Sequence, residues 1–116
     1  MSKKDIEPKL AQLMDLVPEC EGLIAADQEG NVIVGQTLIE MNHSKIAKAC
    51  TKILNDSNTL GQDTGKGSVR NITIELEDGF AILVGSEQVV LIALAGVDGR
   101  ASLGLLKRNL ISISNL

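Results

Sequence analysis

The sequence predicts an α/β (α+β) domain in which a five-stranded antiparallel sheet carries helices on both faces. Three segments repeat apolar residues at helical spacing, and five short segments alternate or are continuously apolar, as strands are. The segments 80–84 and 88–95 are continuously apolar except for Gln88, which is typical of strands covered on both sides. The predicted order is α-β-β-α-β-β-β-α. At 116 residues, we expect one domain, residues 1–116.

The first helix is predicted over residues 5–17. Its apolar stripe has the spacing i, i+4, i+7 and i+11, at Ile6, Leu10, Leu13 and Val17. Asp5 is a candidate N-cap. Pro8 is expected in the first turn, where a missing N–H costs little, and Pro18 is expected to end the helix.

A β-hairpin is predicted next, with strands at 22–26 and 31–35 and a turn between them. The turn sequence Asp-Gln-Glu-Gly-Asn superficially resembles a calcium loop, but an EF-hand needs Gly at its sixth position, Glu at its twelfth and flanking helices. A turn with Gly30 in the left-handed region explains the same residues. We therefore expect a hairpin rather than a metal site.

The second helix is predicted over residues 42–60, capped by Asn42 or Ser44 and terminated by Gly61. Its buried stripe is expected to consist of Ile46, Cys50, Ile53, Ser57 and Leu60. A basic stripe lies on the opposite face, at Lys45, Lys48 and Lys52. These lysines fit either a solvated helix face or a surface that docks an acidic protein partner.

Strand signals resume at residues 69–77, where apolar and polar side chains alternate. The following Asp78-Gly79 is typical of a type I′ hairpin turn, which requires positive φ angles. The last helix is predicted to start between residues 98 and 102. Gly104 lies inside it, and because a glycine there costs about 1 kcal/mol relative to alanine, we expect it to allow close packing against another backbone.

Few residues in the sequence are suited to catalysis. His43 is the only histidine, and Cys20 and Cys50 have no neighbouring ligands at metal-site spacing. Residues 61–67 resemble a phosphate-binding loop, but they have three residues between the glycines where four are needed, and glycine after the lysine where Ser or Thr is needed. We therefore predict no catalytic residues, no cofactor and no metal, and expect that the protein is not an enzyme.

Charge and composition limit the partners and the compartment. The net charge is −4 and Phe80 is the only aromatic residue, so neither a basic surface for phosphates nor a platform for base stacking is expected. We therefore do not expect the protein to bind nucleic acid. No apolar segment fits a signal peptide or a membrane span, and the two cysteines do not suggest a disulfide framework. A cytoplasmic protein without membrane insertion is predicted.

Two stretches, taken with the order of elements, resemble the roadblock family of dynein light-chain-type domains. Residues 22–34 resemble the family's first hairpin, and Ala-Ser-Leu-Gly-Leu-Leu-Lys-Arg at 101–108 resembles the entry to its last helix. Ser102 departs from the asparagine usual at that position. The family also includes bacterial gliding-motility regulators and lysosomal scaffold subunits, and its fold is related to that of profilin.

The resemblance implies a dimer, formed with a second copy or a related roadblock protein. In the family, third strands meet edge to edge and second helices pack together, and many members regulate or scaffold small Ras-like GTPases. Carried onto this chain, the implied dimer interface comprises Ile46, Ala49, Cys50, Ile53, Leu54, Val69, Asn71, Thr73 and Glu75. The expected function is a non-enzymatic adaptor or regulator of a small Ras-like GTPase.

Two other functions remain open from the sequence. One is a small-molecule-sensing module with a ligand between sheet and helix, although the scarcity of aromatic residues argues against a specific pocket. The other is a structural, light-chain-type subunit of a larger assembly.

Overall fold

Nine elements make up the fold, as seen in a computed structural model that describes residues 2–116. In chain order they are α1 (Lys3–Leu16), β1 (Cys20–Ala26), β2 (Val32–Thr37), α2 (His43–Asp63), β3 (Asn71–Leu76), β4 (Gly79–Gly85), β5 (Val90–Gly96), a 3-10 helix (Val97–Ser102) and α3 (Leu103–Ser114). This order confirms the predicted one. The 3-10 helix is an addition that joins the last strand to the last helix.

The five strands form one antiparallel sheet in the order β2-β1-β5-β4-β3. Helix α2 packs on one face, whereas α1 covers β1 and β2 and α3 covers β4 and β5 on the other face. The predicted fold class is therefore confirmed, including helices on both sides. Strands β2 and β3 are the two edges.

The core consists of two apolar layers separated by the sheet. One layer joins α1 and α3 to the sheet and the other joins α2 to it. Leu91 and Ile92 are neighbours on the central strand β5, point to opposite layers and are both fully buried. Burying a side chain of this kind stabilises a fold by about 1.5–3 kcal/mol. This two-sided burial explains why β4 and β5 are apolar throughout.

Helix α1 begins two residues earlier than predicted. Ser2 is its N-cap, and the Asp5 carboxylate accepts hydrogen bonds from the Ser2 backbone N–H at 3.0 Å and from Ser2 Oγ at 2.9 Å. Asp5 thus supports the cap from the first turn and is not the cap itself. These bonds lower the pKa of the Asp5 carboxyl. Pro8 consequently lies in the second turn.

The predicted turn between β1 and β2 is confirmed. The Asp27 carboxylate accepts hydrogen bonds from the backbone N–H groups of Glu29 and Asn31, both at 2.9 Å, and from the Asn31 side chain at 3.1 Å. The backbone and side-chain hydrogen bonds from Asn31 are the main reason why the pKa of Asp27 is lowered. Gly30 has φ of +85°, which a residue with a Cβ rarely adopts.

Helix α2 is capped by Asn42, whose Oδ1 accepts from the Lys45 N–H at 3.0 Å. Its buried face, however, differs from the predicted stripe. The buried residues are Ala47, Cys50, Thr51 and Leu54. Of the predicted stripe only Cys50 is buried, whereas Ile53 and Leu60 are exposed. The small side chain of Ala47 and the satisfied hydroxyl of Thr51, which donates to the Ala47 carbonyl at 2.8 Å, let the helix approach the sheet on this side.

Gly61 does not terminate α2, which continues to Asp63. The chain folds back on the helix at this point, so that the N–H groups of Lys66 and Gly67 donate to the Gly61 carbonyl at 2.8 and 3.1 Å. A Cβ on Gly61 would lie 1.8 Å from the Gly67 carbonyl oxygen. The glycine is required by this close approach.

The β3–β4 turn and Gly104 also differ from their predictions. The turn is the two-residue loop Glu77-Asp78, and no non-glycine residue in the described chain, nor Gly79, has a positive φ, so the type I′ prediction is wrong. Gly79 is needed because a Cβ there would lie 2.3 Å from the Ala95 carbonyl oxygen.

Gly104 is exposed, and a Cβ there would contact only the flexible Arg108 side chain, at 3.6 Å. It therefore packs against no other backbone, and the predicted close packing is wrong.

The two helical glycines should respond in opposite ways to the same substitution. Gly61→Ala should lower the free energy of unfolding by about 1–2 kcal/mol, because the clash exceeds the gain in helix propensity. Gly104→Ala should raise it by about 0.5–1 kcal/mol. Urea unfolding at one fixed protein concentration measures both. A stabilised Gly61→Ala variant would contradict the folded-back geometry of residues 61–67.

Candidate functional site

Part of the sheet face that carries α2 is left uncovered by the helix. Helix α2 packs mainly over β1, β2, β4 and β5, so the apolar side chains of β3 on this face are incompletely buried. Ile72 and Ile74 are half-buried, and Leu76 is 56% exposed. Leu94 of β5 pairs with Ala81, which pairs with Ile74, and it is also half-buried. These four side chains make an apolar strip that begins on the edge strand β3 and reaches inward to β5.

One flank of α2 extends this strip. Ile46, Ala49, Ile53 and Leu60 have the helical spacing i, i+3, i+7 and i+14, which places them on the same side. Ile46 packs against the edge of the same core cluster as Ile72, Ile74 and Leu94. Ile53 is 38% and Leu60 63% exposed. We call the α2 flank and the four strand residues together the apolar surface.

The residues predicted for a dimer interface fall into three groups. Ile46, Ala49 and Ile53 belong to the apolar surface. Asn71, Thr73 and Glu75 lie on the edge strand β3, and Val69 lies just before it, with its N–H bonded to Asn58 Oδ1 at 2.8 Å. Cys50 and Leu54 are buried against the sheet of their own chain, at 7% and 4% exposure. The prediction that Cys50 and Leu54 contact a partner is therefore corrected, because their side chains are covered by their own chain.

Strand β3 presents free backbone groups along the outer edge of the sheet. Leu76 and Gly79 close the two-residue loop and pair across it, so they exchange hydrogen bonds. Because bonding alternates along an antiparallel ladder, Ile74 and Ile72 also bond inward to β4. The N–H and C=O groups of Asn71, Thr73 and Glu75 therefore point outward, where a further strand can pair with them.

Sequence reasoning did not include Ile72, Ile74, Leu76 and Leu94 in the interface. The alternation in residues 69–77 placed the first three on one face, and that signal was sufficient to find them. Leu94 was hidden, because it lies in a continuously apolar strand and nothing local distinguishes it from its buried neighbours.

The three lysines predicted to face a partner are exposed on α2. Lys52 forms an ion pair with Asp56 at 2.9 Å, but both side chains are largely exposed, so the pair contributes little to stability. The Lys48 backbone and side-chain stem lie beside the turn glycine Gly30. The stripe is therefore available for electrostatic contact next to the apolar surface.

Arg100, in the 3-10 helix before α3, is organised differently from the three lysines. Arg100 stacks over the Phe80 ring, 5.0 Å from its centroid, and pairs with Glu75 of the edge strand at 3.0 Å. The pair is exposed and thus weak. It nevertheless holds the only charged side chain of β3 toward the α3 side of the sheet, away from the apolar surface.

A cavity of about 580 Å³ opens where α2 passes the end of the sheet. Its walls include polar side chains from four segments, among them Gln28, Asn55, Asn58, Ser68 and Glu87. Asn58 already accepts from the Val69 N–H, and Gln28 donates to the Ser86 carbonyl. The cavity lies between helix and sheet, where the small-molecule-sensing alternative requires a ligand to bind.

The two cysteines are buried and unpaired. Burial raises the pKa of the Cys50 thiol to about 11, and it is also the main reason why the pKa of Cys20 is raised. Across residues 2–116, no group of histidine, cysteine and carboxylate side chains could hold a metal ion. Within the same range, no helix is both long and apolar enough to cross a bilayer.

Comparison with known proteins agrees with the fold described above. The sequence model of the Roadblock/LC7 domain matches residues 8–95. A search of curated proteins finds no significant match. Among solved structures, the chain is similar to MglB of Myxococcus xanthus, with a TM-score of 0.83 and 16% identity, covering 97% of this chain and 84% of that one.

Two further solved structures share the fold. A Roadblock/LC7 domain from Streptomyces avermitilis has a TM-score of 0.79 at 19% identity, covering 90% of this chain and 88% of that one. LokiProfilin1, solved in a complex with rabbit actin, has a TM-score of 0.64 at 17% identity, covering 99% and 94%. The profilin-like character expected of the fold is thus confirmed.

The buried thiols should react slowly in the native protein. At pH 8, a pKa near 11 in place of the ordinary 9.0 lowers the thiolate fraction, and hence the alkylation rate of Cys50, by about a hundredfold. Iodoacetamide labelling of the Cys20→Ser variant, native against urea-unfolded, measures this. Because the unfolded thiol deprotonates first, the free energy of unfolding should also fall between pH 9 and 11. Equal labelling rates in the two states would contradict the burial.

Proposed function

The chain belongs to the Roadblock/LC7 domain family, and from this premise we propose that it is a non-enzymatic, cytoplasmic, homodimeric adaptor or regulator of a small Ras-like GTPase. The observation that carries the proposal is the apolar surface beside an edge strand with free backbone groups. Such a combination favours association with another protein chain. A second copy of the chain fits this site, because the apolar surface and the edge strand can each pair with the same feature of the second copy.

In the proposed dimer, two β3 strands pair antiparallel about a two-fold axis at Thr73. Glu75 is the only charged residue of β3, and this register sets it opposite Asn71 of the partner. A register that placed the two Glu75 side chains opposite each other would be destabilised by like charge. The same axis brings the two α2 flanks together, so that Ile46 and Ile53 are buried by their counterparts.

The GTPase partner is proposed from the family and from charge. Lys45, Lys48 and Lys52 form a basic stripe on a protein whose net charge is −4. Opposite charge on a partner would steer its approach and orient it.

Small-molecule sensing is a second candidate, favoured by the cavity of about 580 Å³ between α2 and the sheet end. Its volume lies within the range of ligand pockets. A tight ligand would raise the melting temperature, because it binds only the folded state.

The dimer can be tested with proline on the edge strand. Thr73→Pro should weaken dimerisation by at least tenfold, because it removes an outward N–H while the inward ladder to β4 stays intact (about 1 kcal/mol or more per lost bond). Ile53→Asp should do the same by burying a charge. Analytical ultracentrifugation over micromolar concentrations measures both.

Thr37→Pro on the opposite edge of the sheet is the matched control and should remain dimeric. Leu16→Asp, an equally simple charge insertion at an exposed leucine of α1, is the control for Ile53→Asp. A wild-type protein that is monomeric at tens of micromolar would remove the central premise.

The GTPase arm needs its own measurement. Immobilised protein should capture a small Ras-like GTPase from native cytosol, with unequal recovery under GTP and GDP. Replacing Lys45, Lys48 and Lys52 by glutamate should reduce capture by about tenfold or more, since three opposite-charge contacts become repulsive. Glutamate at Lys3, Lys4 and Lys9 of α1 makes the same charge change on the other face and should have little effect. Recovery of no small GTPase in either state would refute this arm while leaving the dimer intact.

A further inference from the structure

The second sheet edge, strand β2, has neither charge nor proline to protect it, and its only irregularity in the pairing with β1 is a register shift between Val32 and Val34, near the turn. It is the terminal strand on the side opposite β3. Residues 30–39 contain no charged side chain and no proline, although natural proteins commonly use both to prevent unwanted pairing at exposed edges. A long uncharged edge of this kind is suited to accept another strand.

The backbone of β2 has outward-pointing groups at known positions. The Leu38 N–H donates to the Glu21 carbonyl at 2.8 Å, and this bond continues the ladder in which Gly22 pairs with Thr37 and Ile24 with Gly35. Because bonding alternates in an antiparallel pair, the N–H and C=O groups of Gly35 and Thr37 point away from β1. A further strand can therefore bond to both residues.

Exposed apolar side chains flank these groups. Leu38 is 65%, Ile39 63% and Val32 37% exposed. Three large apolar residues within eight positions are more than a solvated edge requires. They offer contact area to the side chains of an added strand.

The end of β2 at Thr37 is acidic. Glu40 follows shortly after it and is exposed, and Glu21 lies opposite Leu38. Glu21 Oε2 and Asp98 Oδ1 converge, since a Cβ on Gly96 would lie 2.9 and 3.0 Å from them. In the described part of the chain, none of the three carboxylates forms an ion pair. At the other end, the turn carries two carboxylates, Asp27 and Glu29, and Lys48 lies beside Gly30, so the net negative charge is smaller there.

We infer that β2 binds an extended partner segment by strand addition, and that lysine or arginine residues precede an alternating apolar stretch in this segment. An antiparallel orientation continues the pattern of the sheet and is the more stable one. It brings the N-terminal end of the segment to Thr37, where its cations lie nearest to the exposed Glu40 and at the same end of the sheet as Glu21 and Asp98, which converge beside Gly96 of β5. A second copy of β2 fits less well, because residues 30–39 offer no cation to this acidic end.

The inference is independent of the proposed dimer. Dimerisation through β3 leaves β2 at both outer ends of the combined sheet, so the two contacts do not compete. Each edge also supplies the control for the other.

Synthetic peptides provide the direct test. The probe is a fluorescent peptide with three lysines followed by Thr-Val-Thr-Val-Thr, and fluorescence anisotropy measures its binding to the full chain. A peptide with three glutamates in place of the lysines should bind at least tenfold more weakly. Two further peptides carry N-methyl groups on alternate amides, one on the odd residues and one on the even residues. One of them should lose binding and the other should keep it, because only one set of N–H groups faces β2. Equal loss of binding by both methylated peptides, or no binding of the lysine peptide, would overturn the inference.

Variants of the protein locate the contact. Thr37→Pro should weaken peptide binding by about tenfold or more through the lost outward N–H. Thr37→Val keeps that N–H and removes only the hydroxyl contact with His43 Nε2 at 3.0 Å, so it should bind normally. Glu21→Lys with Glu40→Lys should reverse the preference between the two peptides, whereas Thr73→Pro should leave it unchanged. Self-association that Thr37→Pro abolishes would overturn the inference in favour of a second copy.

Discussion

Strand β5 buries large apolar side chains on both faces of the sheet, and most of the architecture depends on this two-sided burial. Leu91 and Ile92 are adjacent and both fully buried, so helices must cover both faces at the same point along the chain. The pair α1 and α3 does this on one side and α2 on the other. Because hydrophobic burial is the main favourable term in folding, the positions of the three helices follow from the central strands.

Coverage of the centre leaves the margins incomplete. A single helix cannot cover five strands on its face, and α2 packs mainly away from β3. The apolar surface is therefore a consequence of how the core is covered, and it lies next to backbone groups that no strand pairs with. The same topology leaves β2 as a second edge. The two edges differ, since β3 carries Glu75 and an apolar neighbourhood, whereas β2 is uncharged and ends beside carboxylates.

The chemistry of the chain is consistent with action through surfaces. With one aromatic residue and one histidine, specific recognition has to rely on backbone pairing, aliphatic contact and charge. Phe80 is itself buried and supports Arg100 rather than a partner. Membership in the Roadblock/LC7 family gives this arrangement a functional context in protein assembly.

Much of the fold was predictable from local sequence signals. The three helices and five strands, the Asn42 cap and the turn at Gly30 all follow from periodicity, side-chain hydrogen bonding and glycine preference within a few neighbouring residues. Element ends were less accurate, because caps such as Ser2 with Asp5 compete with alternatives only one turn away. Asn71, Thr73 and Glu75 lie on an edge strand, as the family resemblance implied.

Other features were decided only when distant segments met. The rotation of α2, which buries Leu54 and exposes Ile53, depends on the sheet beneath the helix and not on helical spacing, which fits both faces similarly. Gly61 and Gly79 are required by carbonyl oxygens of Gly67 and Ala95, the latter on another strand. The convergence of Glu21 and Asp98 likewise joins residues far apart in the chain. Sequence by itself thus determined which elements form, because these depend on local backbone preferences, whereas tertiary packing decided which side chains remain for a partner.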